Sequence, residues 1–192
     1  MTGHAADTAA RDALRARQGG GARYDAETAP HDDLLLARRG TAYFARKLNE
    51  LNDADLYGPS LRNGWTRAHL VAHVSYHARL LARLIEGART GIAQPLYPST
   101  EARDAEITLA ATLPPRALRN LFRHAEVHLN VEWRDLEDAD WDAALLLPDG
   151  TAITARETPM LRAKEVWQAA IGLDNGGRPE DIPRPVRARL AG

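Results

Sequence analysis

The chain has 192 residues, 44% of them hydrophobic and 27% charged, with 25 Lys+Arg against 26 Asp+Glu and a formal net charge of −1. That length suits one domain with a real core, and the balanced, scattered charge offers no nucleic-acid surface. Cysteine is absent, which excludes disulfides, thiolate metal ligands and a cysteine nucleophile; no apolar run approaches the roughly 20 residues of a membrane span.

Residues 1–30 are rich in Ala, Arg, Gly and Thr and are expected to be a flexible extension, with Gly19-Gly20-Gly21 as a break. Within them Ala9 to Arg17 has the makeup of a short helix. They lack the apolar core of a signal peptide, so a cytoplasmic location is the default. Residues 31–192 read as one helical domain. From Asp32 to Leu51 the apolar Leu35, Leu36, Ala42, Phe44, Ala45 and Leu48 recur at helical intervals. A second helix is expected from an N-cap at Thr66 to Arg89, with Leu70, Val74, His77, Leu81 and Leu84 on one stripe and Gly91 past its end. Ser99 or Thr100 can cap a third through Glu101 to Ala111. After Pro114-Pro115 a fourth carries Leu118, Phe122, Ala125, Leu129, Trp133 and Leu136.

Asp149-Gly150, between Leu145-Leu146-Leu147 and Ile153-Thr154, predicts a short hairpin. A last long helix runs from about Pro159 to Leu173 and stops at Asn175-Gly176-Gly177, leaving a proline-rich tail to wrap the surface. The pattern is all-α: a four-helix bundle with a short β-hairpin inserted before the last helix.

Bundles build sites from side chains on facing helices. His69, His73 and His77, four apart, share one face of the second helix and could reach one metal or ligand. They could equally be half-exposed polar residues beside a core seam, and the glutamate of a His-Glu-x-x-His motif is missing. His124, His128 and Glu132 form a second row, which also reads as a solvated face. Glu165 sits among Leu161, Val166 and Trp167, either partly buried or paired on the surface with Arg162 or Lys164. No nucleophile elbow, Walker loop or dinucleotide fingerprint is present.

The segments Gly64-Trp65-Thr66-Arg67-Ala68-His69-Leu70-Val71-Ala72-His73, Ala88-Arg89-Thr90-Gly91, Tyr97-Pro98, Glu101 to Ile107 and Pro159 to Trp167 occur in a telling order and spacing. Together they resemble the N-terminal domain of the mycothiol-dependent maleylpyruvate isomerases, within the wider DinB-like metal-binding four-helix bundles. The resemblance covers about residues 32–174. It implies a divalent metal, usually zinc, held by a second-helix histidine and a Glu-x-x-x-His pair. The first falls on His73 and the glutamate on Glu165, but the second histidine falls on Ala169 and a following aspartate on Gly172. Alanine cannot bind a metal, so zinc is expected to be weak or absent unless His69, His77 or His128 replaces the missing ligand.

The activity implied is cis–trans isomerisation of a small unsaturated dicarboxylic acid through addition of a low-molecular-weight thiol, mycothiol or glutathione. His73, Glu165 and Arg67 are the expected catalytic groups, with Tyr97, Arg103 and Arg162 on the substrate. Rival readings are a thiol S-transferase or metal-free enzyme of the same fold, and a non-catalytic binding or stress-response bundle. A small molecule is the expected partner, without nucleic acid or membrane, and a homodimer is allowed.

Overall fold

The computed structural model describes residues 24–92, 94 and 96–190. In chain order its helices are α1 (His31–Glu50), α2 (Arg67–Thr90), α3 (Thr100–Ala110), α4 (Pro115–Asp135), α5 (Thr158–Gly172) and α6 (Arg184–Leu190). The strands β1 (Ala144–Leu146) and β2 (Ala152–Thr154) pair antiparallel between α4 and α5, with Leu145 opposite Ile153. Gly150 supplies the left-handed residue of the hairpin turn at φ 86°, and the Asp149 carboxylate accepts from Thr151 N at 2.9 Å.

Local chemistry starts and stops the central helix where the sequence predicts. Thr66 is extended and its hydroxyl accepts from the His69 backbone N–H, while Gly91 closes α2 in the left-handed region at φ 70°. The bundle is α1, α2, α4 and α5. Its two parallel pairs show in their cross-links. Trp167 Nε1 donates to Leu36 O at 3.1 Å and Asn175 Nδ2 to Lys47 O at 2.7 Å, so α1 and α5 run in the same direction. Tyr57, just before α2, donates to Leu113 O at 2.9 Å, and Arg89 meets Glu132 at 3.1 Å near the far ends, so α2 and α4 also run together. The parallel step from α2 to α4 is spanned by α3. Phe44, Leu48, Leu81, Ile85, Leu118 and Leu129 are sealed between the pairs.

Two segments are more integrated than their composition suggests. Residues 24–30, assigned by sequence to the extension, dock on the bundle: Ala29 is buried, Asp25 takes both Arg38 terminal nitrogens at 2.6 and 2.7 Å, and Thr28 Oγ1 donates to Asp138 at 2.8 Å. The glycine triplet and Ala9–Arg17 lie outside the described residues. The tail does not simply wrap the surface, because Ile182 and Val186 are buried and Tyr43 donates to Asp181 at 2.6 Å. Among the described residues no helix is long and apolar enough to cross a membrane.

Helices α1 and α5 touch at Gly40, where an added Cβ would lie 2.6 Å from Val166 Cγ2 and 2.7 Å from Trp167 Cδ1. Alanine gains about 1 kcal/mol of helix propensity over glycine, but overpacking costs about 1–3 kcal/mol. Gly40→Ala should therefore lower the urea midpoint without changing the m-value. A raised midpoint would show that the interface gives way freely.

Candidate active site

The antiparallel contact of α2 with α5 brings His73 against Glu165, with Nε2 and Oε1 2.9 Å apart. His73 is 8% exposed. Trp65 stands edge-on to its ring with centroids 5.3 Å apart, and the Arg62 guanidinium lies 3.6 Å from the Trp65 centroid. The imidazole is thus roofed by an aromatic ring from the turn preceding α2.

Arg162 lies three residues before Glu165, on the same side of α5. It is 1% exposed, its Nη1 donates to Val74 O at 2.7 Å, and its buried Nη2 has no hydrogen-bond partner. Burial lowers its pKa to about 10, with Glu165 and Glu126 opposing, so it stays cationic at neutral pH. Burial alone would raise the Glu165 pKa; the hydrogen bond from His73 and the charges of His77, His73 and Arg162 outweigh it and bring it down to about 2. Burial pushes the His77 imidazole down to about 3 against the pull of Glu165, with Arg162, His73 and Arg103 adding to the fall. His77 is therefore neutral near pH 7 and gains charge only in the acid range where Glu165 titrates; its buried Nδ1 is unpartnered. Arg103 of α3 also buries an unpartnered Nε. The arrangement sets an ionised carboxylate and imidazoles beside unmet guanidinium donors. It can move a proton and hold an anion in one place.

Other expected site residues have different duties. Arg67 is committed to backbone carbonyls: Nε donates to Leu173 O, Nη1 to Asp55 O and Nη2 to Asp174 O. It clamps the C-terminal end of α5, where carbonyls lack helical partners. His69 closes a capping box, its Nδ1 accepting from Thr66 N at 3.3 Å. Tyr97 packs edge-on to Tyr76 at 6.3 Å, among Arg79, Arg83 and Glu106, and burial pushes its pKa up to about 12. Among the described residues no hydrogen bond or ring contact joins it to His73 or Glu165. His124 and His128 are exposed on α4. Sequence reasoning overlooked Trp65 as the roof of His73, although it stands inside the telling motif, and Glu126, whose pKa burial raises against the charge of Arg162.

A catalytic zinc takes three protein ligands and keeps an open position. Here one imidazole and one carboxylate touch directly, the His69 Nδ1 is engaged, and Ala169, buried one turn beyond Glu165, offers a methyl group. No set of three ligand atoms within 4.8 Å of one another includes His73 or Glu165 among the described residues. His77 stands nearby without joining such a set. The pair does not fit a resident zinc. The cluster that does have this spacing, Glu86 with His128 and Glu132, lies elsewhere on α2 and α4.

Fold and site together define a DinB-like four-helix bundle with a histidine–glutamate pair between its second and last long helices. The chain belongs to the mycothiol maleylpyruvate isomerase N-terminal domain family, whose model matches residues 37–168. It is similar to the crystal structure of the mycothiol-dependent maleylpyruvate isomerase, with 42% identity and a TM-score of 0.79 over 85% of this chain and 70% of that one. A structure of a histidine-to-alanine variant of that enzyme matches at 41% identity with the same TM-score and coverage. YfiT from Bacillus subtilis, described as a probable metal-dependent hydrolase with an unusual four-helix bundle topology, shares 16% identity at a TM-score of 0.57, over 84% of this chain and 87% of its own. That likeness is one of fold. No curated protein matches the chain.

Two outcomes follow from this geometry. Ala169→His adds a donor one turn from Glu165 and should create zinc binding beyond that of the parent, lost again on His73→Ala; no gain would mean that the helices leave no metal-sized gap. The second concerns acid. His77 has an ordinary pKa of 6.5 and about 3 in the fold, so the unfolded chain binds the extra proton between these values. Stability should fall as pH drops below 6.5, with Glu165 adding a loss only from 4.5 down towards 2. In melts across pH, His77→Gln should show a markedly shallower decline between pH 6.5 and 4.5; curves of equal slope would place a charged His77 in the folded state.

Proposed function

We propose that the chain is a thiol-dependent isomerase that turns the cis double bond of a maleylpyruvate-type acid to trans, with His73 and Glu165 handling the thiol proton. One observation carries this reading: the His73–Glu165 pair stands beside the unmet Arg162 donor in a chain 42% identical to a mycothiol-dependent maleylpyruvate isomerase. The cofactor thiol would supply the sulfur that a chain without cysteine lacks.

Glu165 accepts the Nε2–H of His73 and leaves Nδ1 as the basic nitrogen. Nδ1 takes the proton from the thiol, and the thiolate adds to one carbon of the cis double bond. The displaced electron pair moves onto the conjugated carbonyl oxygen as an enolate. The former double bond is now single and rotates. The electrons return, the carbon–sulfur bond breaks, and the trans acid leaves with no atom gained or lost. His73 then returns its proton to the sulfur. Arg162 Nη2 and Arg103 Nε are donors for the substrate carboxylates and the enolate oxygen.

The test is conversion of maleylpyruvate with mycothiol present or omitted, followed by absorbance. The protein should be active only with thiol and should stay active in chelator. His73→Ala should lose roughly 10²–10⁴-fold in kcat, the range of a general base. Glu165→Gln keeps a hydrogen-bond acceptor but loses the charge, and should retain more activity than His73→Ala. Full turnover without thiol, or a His73→Ala variant as fast as the parent, would overturn the reading.

A further inference from the structure

Helices α2 and α5 pass each other antiparallel, so residues further along α2 face residues earlier on α5. The His73–Glu165 contact fixes the register. His77 stands four residues past His73 and Arg162 three before Glu165, which puts both in the next layer of the same interface. Besides being buried, the His77 imidazole feels the charges of Glu165, Arg162, His73 and Arg103, so Arg103 of α3 belongs to this layer as well. The two layers differ in one respect. In the first, imidazole and carboxylate satisfy each other; in the second, His77 Nδ1, Arg162 Nη2 and Arg103 Nε are all buried without a hydrogen-bond partner. Protein interiors leave few polar atoms unmet, and three gathered from α2, α5 and α3 mark a place for a ligand.

Resting on the isomerase reading above, we propose that His77 positions the substrate by its 2-oxo acid end: Nδ1 donates to the 2-oxo oxygen while Arg162 Nη2 and Arg103 Nε hold the adjoining carboxylate. The reaction as written leaves His77 without a part, and its chemistry suits this one. A pair of guanidinium donors matches a carboxylate, and an uncharged donor beside them matches the neutral oxygen next to it. Burial keeps His77 neutral near pH 7, so it adds no third positive charge and can carry its one proton on Nδ1. Arg162 is sealed at 1% exposure, but His77 and Arg103 are each partly exposed, so a ligand can reach the layer from their side.

Length decides which end of the substrate reaches this layer. The four residues from His73 to His77 separate the two layers by about 6 Å, at about 1.5 Å per residue. One carboxylate of a maleylpyruvate-type acid is bonded directly to the double bond, so with the double bond beside His73 it stays in the first layer. The other ends an arm of four bonds, which extends to about 5 Å with carbon–carbon bonds of about 1.5 Å. Only that arm spans the gap. A plain dicarboxylate with both carboxylates on the double bond leaves the second layer unanswered.

Equilibrium binding separates this inference from the isomerase assay, because it needs neither thiol nor turnover. The probes are the trans acid and fumarate, which has the same double bond but no 2-oxo arm, each titrated calorimetrically into the full chain without thiol. The parent should bind the trans acid about tenfold or more tightly than fumarate, the order of one or two hydrogen bonds. His77→Leu, similar in bulk but without a donor, should weaken the trans acid about tenfold and leave fumarate unchanged. His77→Asn, whose side-chain N–H falls near the place of Nδ1, should recover most of the loss. In turnover the loss should appear in KM rather than kcat, because the arm is remote from the reacting carbons. Circular dichroism establishes that each variant is folded, and the preference of the parent needs no variant. The inference is overturned if the parent binds the trans acid no more tightly than fumarate, or if His77→Leu binds it as the parent does. It is equally overturned if His77→Asn is as weak as His77→Leu, which would make the ring merely structural. Binding that depends on His77 in a chain that does not isomerise would overturn the catalytic reading and leave this one standing.

Discussion

A guanidinium keeps its charge at any pH that leaves a protein folded, and α5 carries one, on Arg162, at 1% exposure. The surrounding groups have to answer that charge. Val74 O takes one N–H from α2, while the carboxylates of Glu165 and Glu126 approach from α5 and α4. This requirement fixes the rotation of α5: the face that presents Arg162 to α2 also presents Glu165, which meets His73. It accounts for the protonation states as well. Glu165 stays ionised despite burial because cationic and hydrogen-bonding neighbours surround it, and His77 stays neutral chiefly because it is buried, with Arg162, His73 and Arg103 adding to the effect.

What could be read from the sequence was whatever is periodic or locally encoded. Helical spacing and the Thr66 cap locate α2, Asp149-Gly150 locates the hairpin, and the family pattern pairs His73 with Glu165, which the fold brings to 2.9 Å. Spacing of four puts His69, His73 and His77 on one face, but it is silent on position within the helix. His69 is the third residue of α2, where backbone N–H groups lack partners, and there its ring serves the cap. Arg67 was unreadable for another reason. Its partners Leu173 and Asp174 lie more than a hundred residues away, and nothing local announces that the carbonyls of α5 end beside it. The docking of Asp25 on Arg38 and the burial of Val186 are likewise products of tertiary packing.

Ala169 gives the site its individual character. It lies on the buried face of α5, one turn past Glu165, where its methyl group packs and offers no donor. The Glu165 carboxylate and the His73 imidazole satisfy each other through a histidine–glutamate hydrogen bond. Such a pair can still orient an imidazole and support the positive charge that develops when it takes a proton.

That contact would be of little use if the helices could slide. Leu61 N donates to Gly172 O at 2.9 Å, Arg67 grips Leu173 and Asp174 at the same end, and Arg162 reaches Val74 at 2.7 Å on the far side of His73. His73 and Glu165 thus lie between two sets of ties joining the α2 region to α5. Sliding α2 past α5 means breaking hydrogen bonds to backbone carbonyls. Trp65 closes the remaining side, with Arg62 stacked behind it. In the proposed reaction the pair needs its geometry set before the substrate arrives, because reorganisation during the reaction adds to the barrier. Here the same residues that stabilise the junction of α2 and α5 also supply that pre-organisation. Stability and site geometry are therefore coupled at this junction, and a substitution that loosens the clamp acts on both.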